Sequence, residues 1–98
     1  MPSTGPDTTI AALFKRLGHP LRIALVRALR DGPLSVGALQ QAVGASQSTV
    51  SLQLLRMRNE GIVTCHRSDA DARIMVYTLA DRRLADLIDL AEGLSPGA

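Results

Sequence analysis

Apolar residues recur along this chain at helical spacing, interrupted by glycine, until the pattern changes character near residue 62. Ile10, Leu13, Phe14 and Leu17 fall at i, i+3, i+4 and i+7, one face of a helix that Gly18 can end. Pro20 suits the first position of a second helix, with a stripe of Leu21, Ala24, Leu25 and Leu29 before Gly32. Ser35 can cap a short third helix carrying Val36, Leu39 and Val43, closed by Gly44. Ser46 can cap a fourth, with Val50, Leu54 and Met57 facing inward and Gly61 as its stop. Then IVTCHR (62–67) and RIMVYTL (73–79), rich in β-branched and apolar residues, flank the polar turn signal Ser68-Asp69-Ala70-Asp71-Ala72 and predict a β-hairpin. Leu84, Leu87, Ile88, Ala91 and Leu94 predict a last amphipathic helix.

The order α-α-α-α-β-β-α, mainly α with a hairpin wing, is that of a winged helix-turn-helix. The short link Gly44-Ala45 lets the third and fourth helices cross steeply, as that motif requires. Residues 8–94 read as one domain, and the Pro/Gly/Ser-rich stretches 1–7 and 95–98 as flexible tails.

Composition narrows the picture. The chain has 98 residues, 46% of them hydrophobic, with one Tyr, one Phe and no Trp, so the core must be aliphatic. So short a chain buries a modest fraction of its surface, and a second copy would help to complete the core. The last stripe is wider than a lone surface helix needs. Leu84, Leu87, Ile88, Ala91 and Leu94 are therefore assigned, with Ile10, Leu13 and Phe14, to a homodimer interface. Net charge is +2, and ten of the eleven basic residues are Arg, a balance that permits nucleic acid without demanding it. A single Cys excludes an intrachain disulfide framework and fits a reducing cytoplasm. No signal-peptide pattern opens the sequence, and no apolar run approaches the roughly 20 residues that span a bilayer. A cytoplasmic protein with no membrane partner is expected.

The stretch SQSTVSLQLLRMRNEG (46–61) carries the functional signal. Ser, Thr and Gln compete with the backbone for hydrogen bonds and are middling helix formers, yet they crowd the first turns of the fourth helix. In a helix-turn-helix those turns meet the base edges of duplex DNA. Short hydroxyls and amides permit close approach, while the helix N-terminus favours phosphate. Gln47 could reach adenine, and Ser46, Ser48, Thr49 and Ser51 could contact bases or phosphates. Arg56 farther along is a candidate phosphate contact, which would set affinity and not sequence choice. On the wing, Arg67 and Arg73 are candidates for the backbone or minor groove, and the acidic tip, Asp69 and Asp71, argues against deep entry.

LGHPLRIALVRAL (17–29), LSVGALQQAVGASQSTVSLQLLRMRNEGIV (34–63) and RIMVYTL (73–79) resemble the ArsR/SmtB family of bacterial winged-helix repressors, over about residues 10–94. The resemblance implies a homodimer paired through the first and last helices, a palindromic operator, and repression that an effector relieves. Two departures stand out. Leu52 and Leu55 occupy positions where the family often has basic residues, which suggests Leu52 against a thymine methyl. The wing tip is also longer than is usual in that family. Where many members carry a Cys-x-Cys on the third helix, this chain has Ser35 and Gly37.

Asp86, Asp89 and Glu92 stand at three-residue steps on the last helix without a His, a set of oxygen ligands poorly suited to Zn or Ni. They read as an acidic outer face, the alternative being a hard cation held across the dimer with waters completing its shell. Cys65 and His66 are strand neighbours pointing to opposite faces, a poor chelating pair, and Cys65 reads as a buried structural thiol. His19 reads as the cap residue of the second helix. No metal and no cofactor are expected, so the signal would be a small molecule, oxidation at Cys65 or the protein's own abundance. Two His, one Cys and no Gly-rich phosphate loop offer no catalytic constellation, and an enzyme is not expected. The competing class is a winged helix used as a protein-interaction module, which would carry apolar or acidic residues where this helix start is polar and uncharged.

Overall fold

Caps and glycines mark most boundaries in the computed structural model, which describes residues 5–96. The elements are α1 (Pro6–Leu17), α2 (Pro20–Ala28), α3 (Val36–Val43), α4 (Gln47–Asn59), β1 (Val63–Arg67), β2 (Met75–Leu79) and α5 (Arg83–Leu94). This is the expected winged helix-turn-helix order. Ser35 Oγ accepts from the Ala38 N–H at 3.2 Å and Ser46 Oγ from the Thr49 N–H at 3.3 Å, so both helices of the motif start on a hydroxyl cap. Gly44 ends α3 in the left-handed region (φ 68°, ψ 29°), and Gly61 has φ 76° where the chain leaves α4 for the wing. A side chain at either position would meet strain that glycine avoids.

The expectations need correction at the edges. Pro6 and Asp7, expected in the tail, begin α1, because proline suits a first helical position and an aspartate in the first turn complements the helix dipole. Ser95, also expected in a tail, is tied to the end of α5, its N–H donating to Glu92 O and its Oγ to Ala91 O. Residues 1–4 and 97–98 of the expected tails lie outside the described residues. Both strands are shorter than expected. Ile62 N–H bonds back to Met57 O in closing α4. Arg73 and Ile74 belong to the turn, where Ser68 N–H donates to Ile74 O and Ile74 N–H to Asp71 O. His19 occupies the N-cap of α2, but its side chain makes no cap bond.

The wing is a two-stranded antiparallel sheet in which Val63 faces Leu79, Cys65 faces Tyr77 and Arg67 faces Met75. Leu34, just before α3, adds an isolated bridge to Tyr77, N–H to O in both directions at 3.1 and 2.8 Å. Behind the motif lies an aliphatic core. Leu25, Val26, Leu39, Val50, Leu54 and Met57 are fully enclosed, and Leu29, Ile62, Val63, Leu79, Ala85 and Ile88 pack around them. Burying each large side chain contributes about 1.5–3 kcal/mol, so the inward stripe of α4 fixes the helix firmly on the body. By contrast α1 buries only Leu17, at its end.

Candidate nucleic-acid interface

Val50, Gln53, Leu54 and Met57 point inward from α4, which leaves Gln47, Ser48, Thr49, Ser51, Leu52, Leu55 and Arg56 on its outer side, all exposed. The polar front is partly knitted together. Ser46 Oγ donates to Thr49 Oγ1 at 2.8 Å and lies 3.3 Å from Ser48 Oγ. Among the described residues, the side chains of Gln47 and Ser51 make no hydrogen bond, so their donors and acceptors face outward uncommitted. Leu52 and Leu55, 47% and 53% exposed, are large apolar side chains left in water on the same helix. Arg56 sits about 14 Å along the axis from Gln47, at 1.5 Å per residue, in the last turn, where a cation also complements the helix dipole.

The wing residues differ. Arg67 Nη1 donates to Ala72 O at 2.8 Å, across the hairpin tip. Arg73 forks onto Asp71, Nε to Oδ1 at 3.0 Å and Nη2 to Oδ2 at 2.9 Å. That fork and the Arg73 N–H hold the Asp71 carboxyl below the usual carboxylate range, and Asp71 raises Arg73 in turn. The two charges offset one another at the tip. Tyr77, beside Cys65 on the neighbouring strand, has its hydroxyl pushed above the ordinary value, first by burial and then by the thiol, against the opposing pull of Arg58.

A buried polar network was not foreseen. Arg22 and Gln53 are each 8% exposed. Arg22 Nε donates to Gln53 Oε1 at 3.0 Å, and its Nη1 donates to Glu60 Oε2 at 2.7 Å and to Arg16 O at 2.9 Å. One guanidinium thereby joins the end of α1, the first turn of α2, the middle of α4 and the C-cap of α4. The readable signal was Gln53, which falls three residues after Val50 and four before Met57, inside the inward stripe. A polar residue there demands a buried partner.

The expected dimer stripe divides in two. Ile10, Phe14 and Leu94 are 50%, 55% and 76% exposed, Ala91 is exposed, and Leu13, Leu84 and Leu87 are half-buried. Ile88 is instead enclosed in the core of its own chain, because α5 packs against α2 on that side. Leu90, outside the expected stripe, is 63% exposed. The acidic row is not a bare outer face either. Asp89 pairs with Arg30, and Glu92 pairs with Arg27 at 3.1 Å, which ties α5 to α2. Among the described residues, no three His, Cys, Asp or Glu side chains stand close enough to hold a metal, and no helix is long and apolar enough to cross a membrane. Cys65, expected buried, is half-buried.

Two packed helices joined by a short turn, the second with an exposed polar start, followed by a two-stranded wing, define the winged helix-turn-helix class of DNA-binding regulator. The profile described as "Bacterial regulatory protein, arsR family" matches residues 19–64. The chain is 40% identical over 82 residues to the HTH-type transcriptional regulator NmtR of Mycobacterium tuberculosis, covering 84% of this chain and 66% of that protein. It is 39% identical over 80 residues to the biofilm growth-associated repressor of Xylella fastidiosa (strain Temecula1 / ATCC 700964), covering 82% of this chain and 68% of that one. It thus spans about two thirds of the length of these curated relatives. The crystal structure of the transcriptional repressor BigR from Xylella fastidiosa superposes with a TM-score of 0.80 at 34% identity, over 94% of this chain and 91% of that one. The chain belongs to the ArsR family of bacterial transcriptional regulators, DNA-binding proteins and not enzymes.

Proposed function

We propose that this chain acts as a homodimeric repressor on a two-fold symmetric operator, with the first turns of α4 reading bases in the major groove. The observation that carries the reading is the exposed, uncharged front of α4, where Gln47 and Ser51 keep their hydrogen-bonding groups uncommitted. An interaction module would not need that polarity. Gln47, Thr49 and Ser51 are assigned to base edges, Ser46 and Ser48 to the cap and the nearest phosphate, and Leu52 to a thymine methyl. Arg56 and Arg67 are assigned to phosphates, with Arg73 a weaker contact because Asp71 holds it.

Dimerisation is supported by α1, which exposes Ile10 and Phe14 while burying only Leu17, and by the outer side of α5. A second copy laid across Ile10, Leu13, Phe14, Leu84, Leu87, Ala91 and Leu94 would remove that apolar surface from water. The protein is assigned to the cytoplasm, where its one thiol would stay reduced. The releasing signal is assigned to chemistry other than Zn or Ni, since Asp89 and Glu92 are already paired with arginines. Fluorescence anisotropy on promoter DNA tests the central reading. A sequence preference and a steep salt dependence are expected, because phosphate contacts release counterions. Binding that ignores both sequence and salt would overturn it.

A further inference from the structure

The network under α4 opens on one side into a cleft. Ala12, Lys15, Arg16, His19, Arg22 and Glu60 line a concavity of about 350 Å³ between α1, the start of α2 and the end of α4. Its wall carries three guanidinium or ammonium groups and an imidazole against a single carboxylate. Among the described residues Lys15 and Arg16 enter no ion pair, and the His19 side chain is not used as a cap.

Arg22 supplies the second observation. Its Nε and Nη1 serve three acceptors, on Gln53, Glu60 and Arg16, while Nη2 meets none among the described residues. Among the described residues no buried side-chain nitrogen or oxygen is left without a partner, so Nη2 is not sealed away. A guanidinium belonging to a residue only 8% exposed thus keeps an open edge, and the residue lines the cleft. A planar fork of this kind matches the spacing of a carboxylate or phosphate.

We propose that this cleft binds a small, multiply charged oxyanion, held by Lys15, Arg16 and the open edge of Arg22 in competition with Glu60. The volume accommodates a phosphate-sized anion with several waters, each occupying about 30 Å³. Arg22 also holds Gln53, and Glu60 is the C-cap of α4, so an occupant that draws Arg22 away from either is felt along the inner side of the recognition helix. Binding itself stands without the repressor reading; only its consequence for operator affinity rests on it.

The test is an NMR titration of the intact, DNA-free protein with inorganic phosphate, and in parallel with citrate, at ionic strength held constant with sodium chloride. Saturable shifts are expected at the Arg22 Nε–H and at the amides of residues 12–22, 53 and 60. Lys15→Ala combined with Arg16→Ala, both on the exposed surface, should weaken binding by about tenfold or more, the loss of two charge contacts. Glu60→Gln, which removes the competing charge, should tighten it. Shifts that grow linearly with concentration, or that the double variant leaves unchanged, overturn the site. If operator DNA moves these resonances while neither free anion saturates, the cleft holds a DNA phosphate and the small-ligand proposal falls. Operator binding by the same double variant, measured separately, keeps failure of this site distinct from failure of the repressor reading.

Discussion

The leading turns of α4 and the tip of the wing both present polar side chains to the outside, yet their groups stand in opposite conditions. At the front of α4, Gln47 and Ser51 have no protein partner among the described residues. At the tip, Arg67 is bonded to Ala72 O, and Arg73 is forked onto Asp71. A group already satisfied within the chain gains less from a new partner, because the old bond must be broken first. Exposure therefore does not measure availability. Under the proposed repressor function, this difference favours α4 for sequence reading and a supporting role for the wing on the phosphates, chiefly through Arg67.

The largest expected effect removes both regions at once. Leu87→Asp places a charge in the apolar surface assigned to the dimer, and a monomer engages one half-site only. Operator affinity should fall by about a hundredfold or more, the range lost when two linked contacts become one. Analytical ultracentrifugation beside a binding titration checks this. A variant that remains dimeric would move the interface elsewhere.

Next in size, Gln47→Ala should cost the operator about 1–3 kcal/mol and leave random DNA nearly unchanged. Equal losses on both would place base reading elsewhere and break the contrast from the α4 side. Arg67→Ala should instead weaken operator and random DNA alike, and lower the salt slope by about 1. A loss confined to the operator would make the wing a reader.

The wing offers a subtler probe in Asp71→Ala. Freed from its fork, Arg73 should strengthen binding to all DNA by about two- to threefold, the scale of an exposed ion pair. Unchanged affinity would show that Arg73 does not reach the backbone even when released.

The smallest effect is one of pH. Arg83 forks onto Asp81 as Arg73 does onto Asp71, and the side-chain bond, then the Arg83 N–H, hold the Asp81 carboxyl at about 2, from an ordinary 3.8. A lowered carboxyl stabilises the fold above its unfolded value, and that support is lost as pH falls from about 3.8 toward 2. Asp71, also lowered, acts in the same direction. Both carboxylates lie at the surface, with side chains 32% and 47% exposed, so solvent screens their pairs and Asp71→Asn and Asp81→Asn should each flatten the acid limb of a thermal-melting profile only slightly. Curves that coincide with the parent protein's would show these forks to be without weight in solution.

Much of this architecture is written in short-range pattern. Stripes at i, i+3 and i+4, serine caps at Ser35 and Ser46, glycines at Gly44 and Gly61 and a change to strand-like residues at 62 act within one or two turns of chain. Such local rules predict elements well and their ends less well. The hairpin came out shorter because Arg73 and Ile74 joined the turn, and α1 came out longer because Pro6 could start it. The front of α4 was legible for the same reason: hydroxyls and amides there are locally costly, so their presence asks for an outside cause.

What escaped the reading depends on residues far apart in the chain. Arg22 meets Gln53 and Glu60 across separations of 31 and 38 residues, and Arg30 meets Asp89 across 59. Ile88 turned into the core, and not toward a partner, because α5 settled on α2. Leu34 found Tyr77 because the α2–α3 connection runs beside the wing. A stripe shows that a face is apolar without saying which neighbour will cover it. A charge shows what it could attract, and the packed chain decides whether that partner is already in place.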